Sequence, residues 1–136
     1  MRLDKQIVGN AGLYYACYRL CLLGWNVMPT ARNARGIDIV AYSTDGKRFL
    51  GIQVKSLGKQ APVPLGSSVE SLMGDFWVIV TKIAAEPTAY ILTPYEVRKL
   101  AHRGERDGRL SFWLQPVAYA APEYREAWDR IGRGDV

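Results

Sequence analysis

The chain has very little of the chemistry that holds zinc or makes disulfides. It carries two cysteines and one histidine in 136 residues. Cys17 and Cys21 lie four apart on a helix-like stretch, and His102 is far from both in sequence. No second cysteine pair exists to complete a tetrahedral shell, so both cysteines read as small packed hydrophobes in a reducing compartment. No apolar run approaches the ~20 residues that span a bilayer. No apolar signal core follows Met1-Arg2-Leu3-Asp4-Lys5. The expectation is a cytoplasmic protein with no membrane partner. Internal repeats, low-complexity tracts and dividing linkers are also missing, which predicts one domain over residues 1–136.

What is present is an ordinary globular composition, 49% hydrophobic and 23% charged. Acid is the scarcer charge: 13 Asp and Glu stand against 18 Lys and Arg, for a net charge of +5. The excess is local. Between residues 30 and 60 lie Arg32, Arg35, Lys47, Arg48, Lys55 and Lys59, against Asp38 and Asp45 alone. A focused positive field suits a polyanionic partner, although basic proteins without one are also common.

Apolar positions recur at three- and four-residue steps over residues 4–23, which predicts a helix. Asp4 is placed to cap it and Gly24 to end it. Gly9 and Gly12 weaken its first half, so its regular part is expected from about Asn10. A short strand is predicted at 25–28. Residues 37–43 and 47–55 read as a hairpin around Asp45-Gly46. A loop follows over 57–75, with a short helix near 68–73. Its stretch from Gly58 to Gly66 is either a flap near the site or a connector. Residues 76–80 are apolar throughout, as in a central strand covered on both faces. Another strand is expected at 89–92. Thr93-Pro94-Tyr95-Glu96 opens a second helix with a capping box, ending near His102 and Gly104. A late strand at 110–114 and a final helix at 122–131 complete an α/β order with a mixed sheet flanked by helices. Trp77, Trp113, Trp128 and the tyrosines read as core, as do Tyr42 and Phe49 near the hairpin turn.

A two-residue loop at Asp45-Gly46 sets Asp38 opposite Gln53, with Cβ atoms ~5 Å apart. Lys55 shares that face, two residues on from Gln53, and its partner Gly36 leaves space beside it. Ile37, Ile39 and Ala41 pair with Val54, Ile52 and Leu50 on the other face, which belongs to the core. An acid, an amide and a lysine therefore converge at one corner of a half-buried sheet. One reading is an Asp38–Lys55 ion pair with Gln53 beside it. The other is a cation site: a carboxylate, an amide oxygen and the Val54 carbonyl are hard donors of the kind Mg²⁺ takes while keeping several waters. A neighbouring lysine can orient a water or neutralise charge on a phosphate.

Gly36-Ile37-Asp38, the Asp45-Gly46 turn and Ile52-Gln53-Val54-Lys55-Ser56 resemble the PD-(D/E)XK nuclease superfamily, which has the restriction-endonuclease-like fold and includes the Holliday junction resolvases. Gly9-Asn10-Ala11-Gly12-Leu13-Tyr14-Tyr15, followed by Gly24-Trp25-Asn26-Val27, is similar to that fold's opening helix and strand. The resemblance covers residues 9 to about 81. It implies Asp38, Gln53 and the Val54 carbonyl as ligands of Mg²⁺ or Mn²⁺, and Asp38, Gln53 and Lys55 as the catalytic set. DNA is the implied partner, met by Arg32, Arg35, Ser56 and Lys59. Arg32, Asn33 and Arg35 read equally as plain solvated loop charges.

One departure stands out. The opening helix of this superfamily often carries a glutamate, and here that place is Leu13. Glu70 could supply a carboxylate instead, but an exposed acid is its more ordinary reading. Two functions follow: a metal-dependent endonuclease hydrolysing DNA, with activity weakened or lost through Leu13, or an inactive nuclease-fold module that binds nucleic acid or a partner protein. A third, without nucleic acid, is an interaction domain. A homodimer is compatible with each.

Overall fold

The computed structural model describes residues 2–31 and 36–136. Arg32, Asn33 and Arg35, expected to meet DNA, lie outside the described residues.

Helix α1 (Lys5–Leu22) is capped by Asp4, whose carboxylate accepts from the Gln6 N–H at 2.8 Å. It runs unbroken through Gly9 and Gly12, so the expected start near Asn10 is corrected. Packing outweighs glycine's low propensity here. Gly12 is buried where the helix crosses the sheet, and a Cβ there would fall 2.2 Å from the Ser56 side chain.

Strands β1 (Asn26–Pro29), β2 (Ile39–Tyr42), β3 (Phe49–Ser56), β5 (Phe76–Thr81) and β6 (Thr88–Leu92) form a five-stranded sheet in the order β1-β2-β3-β5-β6. Within it β3 and β5 run parallel, and the other neighbouring strands run antiparallel. Ile39 faces Ile52 and Tyr42 faces Phe49, which is the register expected from the hairpin. The loop is longer than expected. Ser43 N–H bonds Arg48 C=O, and Gly46 N–H bonds Ser43 C=O, so residues 44–47 make the connection. The Asp45 carboxylate accepts from the Ser43 hydroxyl and the Lys47 N–H, which favours the wider turn.

The two faces of this sheet carry different layers. On one, Ile39, Ala41, Ile52, Val78 and Val80 pack against Ala16, Cys17 and Leu20 of α1, closed by Trp25, Trp128 and Ile131. On the other, Trp77, Ile79, Tyr90 and Leu92 pack against a second sheet and helix α2 (Pro94–Leu100). The second sheet has the order β4-β8-β7, from β4 (Val63–Gly66), β7 (His102–Arg106) and β8 (Arg109–Leu114). This layer stops short of the β2–β3 turn. Tyr42 and Phe49 therefore stack outside the core at 5.8 Å, with Phe49 60% exposed, contrary to expectation. Cys21 is likewise exposed rather than packed, while Cys17 is buried.

Helix α2 has the expected capping box: Thr93 Oγ1 accepts from the Glu96 N–H, and Glu96 accepts from the Thr93 N–H at 2.8 Å. It ends before His102, which opens β7 instead. Asp107 and Gly108 both take positive φ (52° and 76°) and turn β7 into β8, a hairpin signal that outweighs helix continuation. The helix expected at 68–73 is absent, and this stretch makes only one turn at Glu70 and Ser71. The stretch from Gly58 to Gly66 is a connector: β4 pairs with β8, and the Tyr119 hydroxyl holds both the N–H and C=O of Ala61.

The final helix expected at 122–131 is absent. Helix α3 (Pro116–Tyr119) comes earlier, and only Trp128–Arg130 forms a 3-10 turn. The segment between them runs along the open edge of β6. Ile91 N–H bonds Tyr124 C=O and Glu126 N–H bonds Ala89 C=O, while the Glu126 carboxylate accepts from the Ala89 N–H. Covering an edge satisfies backbone groups that a helix would leave open. No helix among the described residues is long and apolar enough to cross a membrane.

Candidate active site

Ile52 and Val54 turn toward α1, so the alternation of β3 sends Gln53 and Lys55 to the opposite face. There the parallel register sets Gln53 beside Trp77 and Lys55 beside Ile79. The Lys55 ammonium lies 5.6 Å from the centre of the Trp77 ring, and Trp77 is 3% exposed. The lysine is thus steered by an aromatic face at its side.

Asp38 stands where β2 and β3 part. Its N–H bonds Ile52 C=O at 2.9 Å, but the next rung of the ladder, from the Val54 N–H to the Ile37 carbonyl, is not made. That carbonyl accepts from the Thr30 hydroxyl instead. The Asp38 carboxylate takes over the vacant donor: Oδ2 accepts from the Val54 N–H at 2.7 Å and from Gln53 Nε2 at 2.8 Å. The same Gln53 nitrogen lies 3.4 Å from the Val54 carbonyl. Ile37 departs from expectation as a consequence. Its side chain lies over Gly51, on the Gln53 face, where a Cβ on Gly51 would meet it at 2.8 Å.

Asp38, Gln53 and the Val54 carbonyl therefore meet at one corner, with all three residues half-buried. Lys55 shares the face of Gln53. Among the described residues it forms no ion pair with Asp38. The corner fits a hard divalent cation in donor type, because a carboxylate oxygen and a carbonyl oxygen already converge on one atom, the Gln53 nitrogen. It is poor in charge. Among the described residues no three His, Cys, Asp or Glu side chains gather in a group able to hold a metal. Leu13 of α1 is half-buried and packs against the core, and Glu70 is exposed, its N–H taken by the Ser68 hydroxyl.

Ser56 and Lys59 lie just beyond. The Ser56 hydroxyl donates to the Val8 carbonyl of α1 at 2.6 Å, so its proton is used within the fold. Lys59 is exposed on an open cleft of about 900 Å³ that Arg2 and Lys5 also line. Sequence reasoning missed those two cations, which lie some fifty residues from Lys59 in the chain. The contact of Gly12 with Ser56 brings them there. Asp75 was also missed. It exchanges two 2.7 Å bonds with the backbone of Gly51 and fixes the start of β5 against β3.

Scans against protein-family models and against curated proteins find no match. Among solved structures the chain is similar to Hjc of Archaeoglobus fulgidus, a Holliday junction resolvase from an archaeal hyperthermophile. The TM-score is 0.52 at 20% identity, over 82% of this chain and 87% of that one. A central mixed sheet with α1 on one face, and the β2–β3 hairpin feeding a parallel β5, is the restriction-endonuclease-like fold, and this chain has it.

Proposed function

We propose that the chain is a divalent-metal-dependent endonuclease that hydrolyses phosphodiester bonds in DNA. The observation that carries the reading is the corner where the Asp38 carboxylate, the Gln53 amide and the Val54 carbonyl meet, with Lys55 on the same face. The likeness to a protein that resolves Holliday junctions supports nucleic acid as the substrate class.

Asp38 and the Val54 carbonyl would hold Mg²⁺ or Mn²⁺, with the Gln53 amide turned to offer its oxygen. A bound ion supplies positive charge beside the scissile phosphate. Lys55 brings its ammonium to the same phosphate and stabilises the negative charge that grows as water attacks phosphorus. Trp77 limits where that ammonium can go. Lys59, with Arg2 and Lys5 across the cleft, holds the backbone that continues past the cut.

The test is cleavage of supercoiled plasmid and of a four-way junction with Mg²⁺ or Mn²⁺. Wild-type protein should nick or cut at least one of them, and Lys55→Ala should reduce the rate by 10² or more. Cleavage that survives this substitution removes Lys55 from the assignment.

One observation favours a second reading. Leu13 is apolar and packed, and Gln53 is neutral, so Asp38 is left as the corner's carboxylate. A domain that kept the fold and lost turnover would bind DNA in a salt-sensitive manner and leave it intact. The same assay separates the two.

A further inference from the structure

The β7–β8 ribbon carries a charge arrangement that nothing inside the fold explains. Its register sets Arg106 directly opposite Arg109, Gly104 opposite Ser111 and His102 opposite Trp113, all on one face. Like charges directly opposite on a ribbon are destabilising. Among the described residues neither arginine forms an ion pair, although Asp107 sits at the turn between them. Both are exposed. With Asp107, Leu110 and Ser111 they line an open hollow of about 460 Å³.

The other face of the ribbon is different. It carries Arg103 and Glu105, whose charges offset, opposite the apolar Phe112 and Leu110. Two cations thus face each other across one face with Asp107 at the turn unpaired to either, and a balanced pair lies on the other. The turn is tight, because Asp107 and Gly108 both adopt the left-handed conformation. Below the tip the first face is covered by an aromatic side chain rather than by charge. A Cβ on Gly104 would lie 2.5 Å from the Trp113 indole, which folds across that space and meets the His102 ring at a tilt of 45°, with ring centres 4.7 Å apart.

We infer that Arg106 and Arg109 form a phosphate clamp, and that this face of the ribbon docks on the backbone of duplex DNA. Two guanidinium groups that repel in the free protein are relieved when a phosphate lies between them. Each can also meet phosphate oxygens bidentately. A two-stranded ribbon has a shape that the DNA major groove admits. The clamp needs neither a metal nor Asp38, so it stands or falls separately from the cleavage chemistry.

The test is equilibrium binding of a fluorescent 20-base-pair duplex in EDTA, across a series of salt concentrations. Arg106→Gln with Arg109→Gln should weaken binding about tenfold at low salt and reduce the slope of log K against log salt by about two, one for each lost contact. Arg103→Gln, on the balanced face, should leave the slope unchanged. Arg106→Glu supplies the check on folding. It places an acid opposite Arg109, so it should raise Tm above wild type while weakening binding. An unchanged slope in the double variant overturns the clamp. So does an equal loss from Arg103→Gln, which would mean diffuse charge, or a fall in Tm for Arg106→Glu. Absence of duplex binding by wild-type protein at low salt overturns it too, and would turn attention to an acidic protein partner.

Discussion

Asp38 holds two offices at once. Its carboxylate is the charged group of the candidate cation corner, and it also accepts the Val54 N–H that the sheet ladder leaves unpaired. These roles separate by substitution. Asp38→Asn keeps an oxygen acceptor for the Val54 N–H and removes the charge, so it should change stability by less than about 1 kcal/mol and abolish Mn²⁺ binding. Asp38→Ala leaves a half-buried N–H unpaired and should cost about 1–3 kcal/mol in addition. Urea denaturation of both variants, with Mn²⁺ titration by calorimetry, checks this. Equal stability of the two would refute the scaffold role. That the Asp38 and Gln53 side chains come together was legible in the sequence, because a strong turn signal fixes the register of a hairpin, although the ladder itself ends at Ile39 and Ile52. The takeover of the Val54 N–H was not legible, since it depends on Thr30 drawing away the Ile37 carbonyl. Nor was the contact of Lys55 with Trp77, which comes from a parallel strand whose register no local turn encodes.

Elements with strong local chemistry formed where the sequence placed them, and weak ones yielded to tertiary demand. The capped α1, the apolar β5 and the capping box of α2 were all readable. Tyr124 and Trp128 of the segment 122–131 are buried at a spacing that a helix would also give, whereas its backbone serves the open edge of β6. The β7–β8 hairpin was overlooked although Asp107-Gly108 is the same signal that revealed β2 and β3. The basic residues before it read as the end of a helix. Helix α1 bears on the site through Gly12, whose missing side chain lets it sit on Ser56. In an exposed helix, Gly→Ala gains up to about 1 kcal/mol. Here the added methyl would collide with a strand, so Gly12→Ala should destabilise by about 1–3 kcal/mol. Thermal unfolding reads the sign directly, and a rise in Tm would contradict the close crossing.

At the scale of the whole molecule, the five-stranded sheet divides its labour by face. One face is sealed by α1, and the other carries the polar corner beside the second sheet. Cations from distant parts of the chain extend this basic character: Arg2, Lys5 and Lys59 around one cleft, Arg106 and Arg109 at a ribbon tip. The sequence showed only the excess between residues 30 and 60, since the rest are gathered by the fold. The chemistry of the molecule depends on whether this corner takes a cation. A crystal soaked in Mn²⁺, with anomalous diffraction, answers that most directly. The predicted result is a peak bonded to both Asp38 and the Val54 carbonyl, with the Gln53 amide reversed to present its oxygen. A corner without a peak, where the Gln53 nitrogen still donates to Asp38, would contradict the account.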